Sequence, residues 1–164
     1  MPRNQPLRLP ALDPSTLPDL RSTLYPEPVK RRVAGRVKKK LGDACGLSQF
    51  GVNLVTLEPG SESALRHWHT HEDEFCYVLE GEVVLISEGG EQTLRAGDCA
   101  GYPAGRNDAH HFVNRAAKPA RYLEIGSRDD ADVSSYPDDD LQWLKRQADG
   151  KQTLVPARKN GEPY

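Results

Sequence analysis

Cysteine is scarce in this chain. Cys45, Cys76 and Cys99 are the only three in 164 residues, an odd number with no Cys-x-x-Cys spacing. That excludes a disulfide framework and a zinc–thiolate site as the basis of the fold, and makes a reducing cytoplasm the expected compartment. Long apolar runs are also missing, so no membrane-spanning segment is expected. The opening MPRNQPLRLP has no continuous apolar stretch, and no secretory leader is expected there. Neither sign of charge dominates: 22 basic residues stand against 24 acidic ones, which gives no global pull toward nucleic acid or membrane. Residues 29–41, VKRRVAGRVKKKL, form a local basic run, but no aromatic side chains are interleaved to stack bases. The run reads as a solvated strand or arm. Acidic residues near the other end, among them Asp132, Asp138, Asp139 and Asp140, can pair with it, within the chain or across a dimer.

Helix signals are few as well. No ten-residue amphipathic pattern interrupts residues 47–126. What fills that span is a series of short β-rich runs separated by turn signals. Residues 49–57 alternate, with Phe50, Val52 and Leu54 on one face and Asn53, Val55 and Leu57 on the other. Gly89-Gly90 marks a hairpin, and Arg95-Ala96-Gly97-Asp98 and Arg115–Pro119 mark further turns. Many short strands with regular turns predict an all-β sandwich or barrel. Residues 1–46, rich in proline at their start, read as an N-terminal arm with the first strand or strands, including one short helix opened by Asp13-Pro14. Residues 127–164 read as a C-terminal extension. Its residues 138–148 have acids first, Lys145 and Arg146 late and Gly150 beyond, which predicts one short helix docked on the surface.

The chemistry concentrates in residues 60–81, GSESALRHWHTHEDEFCYVLEG. On an extended backbone His67 and His69 present both imidazoles to one face, and a carboxylate just beyond can join them around a metal. Imidazole with carboxylate suits zinc, iron, nickel or manganese. In the strand that follows, Glu74, Cys76 and Val78 share one face. Phe75, Tyr77 and Leu79 share the other, toward the arms or a second subunit.

These residues resemble the cupin superfamily. Its first motif is matched by Gly60, His67-Trp68-His69, Glu74 and Gly81, and its second by Gly97, Pro103-Ala104-Gly105, His110 and Asn114. Two spacers are longer than the family pattern, from Gly60 to His67 and from Gly105 to His110. Both lengthen loops at the mouth of the barrel. The resemblance implies a double-stranded β-helix, or jelly-roll, barrel over residues 47–126. It implies one divalent metal held by His67, His69, Glu74 and His110 with positions left open for substrate. It also implies a homodimer. By the family spacing His71 lies outside the ligand set, at the mouth or behind the ligands. His111 points away from His110 and reads as packing, and Cys76 reads as a small apolar filler.

Three functions are compatible with such a site. The first is isomerisation or epimerisation of a sugar or sugar phosphate, through an enediolate stabilised by the metal. Glu124, His71 or Asp108 would then move the proton, with Tyr122 as a hydrogen-bonding partner of Glu124. Arg106, Tyr102 and Asn114 are the substrate-contact candidates, Arg106 for a phosphate or carboxylate. The second is an Fe(II) dioxygenase using the same three histidines and glutamate. The third is a small-molecule-binding or sensing module without turnover. The direction in which Tyr122 and Glu124 face is not readable across the Pro119 turn.

Overall fold

The computed structural model describes residues 7–148 and 151–164. The chain forms strands β1 (Arg36–Lys40), β2 (Phe50–Leu57), β3 (Trp68–His69), β4 (Glu74–Glu80), β5 (Glu82–Ser87) and β6 (Gly90–Arg95). It continues with β7 (Cys99–Tyr102), β8 (His111–Val113), β9 (Ala120–Ser127), β10 (Ser134–Ser135), β11 (Gln142–Ala148) and β12 (Lys151–Ala157). The one α-helix among the described residues is a single turn, α1 (Leu41–Ala44). All sheet pairings are antiparallel. The two larger sheets run β1-β2-β9-β4-β7 and β6-β5-β8, and β10-β3 and β11-β12 form two-stranded sheets beside them. This is the expected all-β jelly-roll.

The two sheets close on a shared core. Val55 and Leu57 from β2, Cys76 and Val78 from β4, Val83 and Leu85 from β5, Phe112 from β8 and Tyr122 from β9 pack into one cluster. Removing this apolar surface from water, at roughly 25 cal/mol per Å², is what holds the sheets together. The opposite face is mixed: Lys39 of β1 is polar there, but Phe75, Tyr77 and Leu79 of β4 are apolar and partly exposed. The turn from β4 to β5 depends on Gly81, whose φ is +73°. A Cβ there would also stand 3.0 Å from the Pro119 carbonyl oxygen. Only glycine meets both conditions.

Register settles which side chains enter the barrel. Asn53 pairs with Glu124, Val55 with Tyr122 and Cys76 with Glu124. Because Val55, Cys76 and Tyr122 belong to the core, Glu124 faces inward with them. The same parity carries into β1, where Lys38 pairs with Val55 and Lys40 with Asn53. Alternate members of the basic run therefore point into the barrel. Arg36 donates to the Ser63 carbonyl at 2.6 Å, and Lys38 bonds Glu124 at 2.5 Å. Outward, Lys39 reaches Asp19 of the N-terminal arm at 3.0 Å. Arg32 pairs with Asp139 at 3.0 Å, so acid from the C-terminal extension does meet the basic run.

The arms form a second, smaller core of Tyr25, Val33, Leu65, Tyr136 and Leu141. In the N-terminal arm Asp13 caps a 3-10 turn, Pro14–Thr16, by accepting from the Ser15 amide at 3.0 Å. The C-terminal extension departs from expectation. Residues 138–148 are not a helix: Gln142–Ala148 is a strand, paired in register with Lys151–Ala157. The acids that resemble a helix start are spent on tertiary partners instead. Asp138 takes Arg66, Asp139 takes Arg32, and Asp140 accepts from the Lys159 amide. The Thr153-Leu154-Val155 segment, rich in β-branched residues, supplies a hairpin partner, and Leu144 pairs with Val155.

Candidate metal centre

Four separate parts of the chain deliver the candidate ligands. His67 and His110 face each other in an isolated bridge, His67 N–H to His110 O at 3.2 Å and the return bond at 2.8 Å. His69 ends β3, which is pinned by pairing with Ser134–Ser135 of β10. Glu74 opens β4 on its inward face. The three imidazoles converge on one oxygen, Glu74 Oε2. His110 Nε2 lies 3.0 Å away, His69 Nε2 3.7 Å and His67 Nε2 3.9 Å.

Each ring is oriented from behind. His67 Nδ1 donates to the Leu65 carbonyl at 2.8 Å, and His110 Nδ1 to the Asp108 carbonyl at 3.1 Å. A carbonyl oxygen can only accept, so Nδ1 carries the hydrogen in both rings. His69 Nδ1 meets the Asp132 carboxylate at 2.6 Å. All three Nε2 atoms are thereby turned to the centre, the arrangement by which metal-ligating histidines are usually fixed. His67, His69 and Glu74 offer ligand atoms within 4.8 Å of one another. The residues present fit a divalent first-row cation.

Burial and charge tune the same groups. Burial pulls the His67 imidazole down to about 4, against the opposing pull of Glu74. Burial pushes Glu74 upward, but the His110 hydrogen bond and the three imidazoles outweigh it and hold the carboxyl at about 2. Burial pulls His69 down too, yet Glu74 and Asp132 raise it overall. The charged carboxylate and the neutral, buried His67 are the protonation states that bind metal.

Around this centre the remaining candidates fall into two groups. Tyr102 lies against it, its ring stacked on His110 with centroids 3.3 Å apart. Its hydroxyl is buried without a hydrogen-bond partner among the described residues. Arg106 lines a small pocket with His69, Glu74, Tyr102, Asp108 and His110. Its guanidinium makes no ion pair among the described residues. Glu124 shares a cleft with Glu74 and His69, and its carboxylate is held by Lys38 at 2.5 Å and Asn53 at 3.0 Å.

His71 is not brought in. It is exposed, its Nδ1 2.8 Å from Thr70 Oγ1, and it reaches neither Glu74 nor the other imidazoles. The tight turn after His69, pinned by Asp132, sends it outward. Asn114 is fully buried and tied to backbone. Its amide donates to Leu57 O at 2.7 Å and Lys118 O at 2.9 Å and accepts from the Ala116 amide, so it serves the turn and not a ligand. His111 is buried against Ala64 O at 3.0 Å and Glu62 at 3.3 Å.

Sequence reasoning did not find Asp132, Lys38, Glu72 or Tyr136. Tyr136 stacks on His67 with centroids 5.6 Å apart. Glu72 borders the clefts on each side of His69, and burial raises its carboxyl. Only the inward parity of Lys38 had a readable signal, the alternation of the run it sits in.

Comparison with known proteins supplies the family. Residues 53–126 match the model of the cupin domain, Cupin_2. A cupin-superfamily sugar phosphate isomerase from Silicibacter pomeroyi is 42% identical, with 94% of this chain and 96% of that one covered and a TM-score of 0.86. A candidate sugar phosphate isomerase from Acidithiobacillus ferrooxidans is 37% identical over 74% of this chain and 78% of that one, with a TM-score of 0.65. The polyketide cyclase RemF from Streptomyces resistomycificus shares the fold at 21% identity, covering 73% of this chain and 79% of that one, with a TM-score of 0.58. No curated protein matches.

Proposed function

We propose, for a chain that belongs to the cupin superfamily, that His67, His69, Glu74 and His110 hold one divalent cation and that the protein isomerises or epimerises a sugar or sugar phosphate. The observation that carries this reading is the convergence of three Nε2 atoms on one carboxylate oxygen, at 3.0–3.9 Å. The name of the 42% identical Silicibacter protein supports the substrate class. What a divalent cation supplies there is charge neutralisation for a carbonyl and for the enediolate that follows proton removal.

The rest of the chemistry belongs to side chains. Glu124 is the proton carrier. Burial favours its neutral form, but the Lys38 ammonium lowers its pKa overall, so it arrives as a carboxylate able to accept a proton. Having taken the proton from the carbon beside the carbonyl, it can return it to the neighbouring carbon. Tyr122, two residues away on the same face, keeps its phenol neutral through burial and is a donor rather than a base. Arg106, which makes no ion pair among the described residues, presents its guanidinium to a substrate oxygen. Tyr102 holds the His110 ring flat and walls the pocket.

The protein acts as a homodimer in the cytoplasm on this reading. Phe75, Tyr77 and Leu79 project from the outer face of β4, each 39% exposed, a row of apolar surface suited to a second copy. All three cysteines are free, as in a reducing compartment. No helix among the described residues is long and apolar enough to cross a membrane.

The test is incubation with aldose and ketose phosphates in deuterated water, with metal analysis of protein purified without chelators. Deuterium entering a substrate carbon is expected. No deuterium in any substrate overturns the isomerase reading. Iron together with substrate-dependent oxygen uptake would replace it with the dioxygenase. Tight binding of a small molecule that is never converted would replace it with a sensing module.

A further inference from the structure

The widest opening beside Glu74 and Glu124 is not the one that holds Arg106. The Arg106 pocket has a free volume of about 30 Å³, room for about two water molecules. A second cleft, of about 230 Å³, leads outward between the ends of β1, β2 and β9. His69, Glu74 and Glu124 form its inner end, and Lys40, Asp43 and Arg128 its outer rim. The space exists because two glycines meet there. Gly51 and Gly126 are direct partners across the β2–β9 ladder, on the inward face. A Cβ on Gly51 would sit 3.8 Å from the Arg128 guanidinium, and one on Gly126 3.8 Å from Glu74 Cγ. Neither position requires glycine for its backbone; each leaves room where a side chain would stand.

The rim carries two cations and one acid. Arg128 bonds Asp43 and donates to the Leu47 carbonyl at 3.1 Å, which fixes its guanidinium. Lys40 shares the same carboxylate at 3.4 Å. One positive charge is therefore left over. Glu72 borders this cleft as well as the wall on the far side of His69, but that wall adds Asp129, Asp130 and Asp132 against the single Lys145, a larger excess of negative charge.

We propose that Lys40 and Arg128 are the phosphate seat. Resting on the isomerase reading above, the substrate is then a phosphorylated sugar that lies along the glycine floor. Its phosphate is at the rim, its carbonyl end is at the histidines and Glu74, and Arg106 faces a hydroxyl or carbonyl oxygen. A sugar without phosphate is a poor substrate.

The experiment is calorimetric titration of inorganic phosphate into full-length, metal-free protein. Lys40→Gln and Arg128→Gln are each expected to weaken phosphate binding about tenfold, the loss of one charge-assisted contact. Arg106→Gln is expected to leave it unchanged. Should a charge variant lose its melting transition, Gly51→Val carries the test, since it keeps both cations and fills the floor. Its phosphate binding is expected to fall likewise. Parent-like phosphate binding in the rim variants, or loss of binding in Arg106→Gln alone, overturns the seat while leaving the isomerase reading intact. Absence of deuterium exchange with every sugar phosphate removes the isomerase reading, and the phosphate titration still decides the seat.

Discussion

His69 Nδ1 lies 2.6 Å from Oδ2 of Asp132, a residue of the turn that joins β9 to β10. Asp132 Oδ1 also accepts from the His71 amide at 2.9 Å, so one carboxylate orients the ring and pins the loop that follows it. Asp132→Asn keeps the size but removes the charge behind His69. Metal affinity is expected to fall about 10–100-fold with the fold retained. Metal competition against a chelator, read beside circular dichroism, checks it; parent-like affinity would mean the pair is structural only.

Removing ligands should act more severely. His67→Ala with His110→Ala takes away two of the three Nε2 atoms around Glu74. Elemental analysis should find little bound metal in that variant. Metal content equal to the parent's would show that the cation sits elsewhere.

Glu124 and Lys38 separate proton transfer from metal binding. Glu124→Gln leaves the four ligands in place and should abolish deuterium exchange while metal content stays at the parent level. Lys38→Met strands an inward carboxylate without its cation, 2.5 Å away in the parent. That should cost on the order of 2–3 kcal/mol of stability, readable as a lower urea midpoint. The Lys38→Met/Glu124→Gln double variant should recover part of the loss.

Acid should destabilise the metal-free protein in two stages. Unfolded His67 takes up a proton near its ordinary 6.5, whereas the folded residue binds one only near about 4. Between those values the unfolded chain holds more protons, so stability falls as pH drops. Glu74, held at about 2 against an ordinary 4.5, contributes stability above 4.5 that is lost as pH falls further. His69, raised in the fold, works the other way, its contribution fading as pH rises through its folded value. Urea midpoints across this range measure the sum. His67→Gln should flatten the upper stage and weaken the lower one, since His67 is one of the imidazoles that hold Glu74 down.

The strands were legible because alternation is a local rule, whereas the candidate ligand set came from the spacing of a family motif and not from alternation. Alternation in residues 49–57 and 74–80 predicts β2 and β4, and Glu74, Cys76 and Val78 do share the inward face. Asp132 was hidden because its role comes from β10 lying beside β3, a pairing that leaves no periodic trace. The direction of Glu124 required the β2–β9 register, which a turn of unknown geometry erases. Residues 138–148 misled because the acids at their start are held by tertiary partners, Arg66, Arg32 and the Lys159 amide, which leave no mark on the local pattern. Asn114 sits at a motif position, yet all its amide contacts belong to the backbone.

The arm's contact with β1 bears on solution behaviour. Leu20 and Lys38 exchange two backbone bonds of 2.9 Å, which occupies part of the outer border of the larger sheet. A bare border of that kind templates strand addition by a neighbouring molecule. The proline-rich beginning of the chain is thus a guard against disordered clumping, and trimming it back past Leu20 would trade a discrete particle for sticky ones.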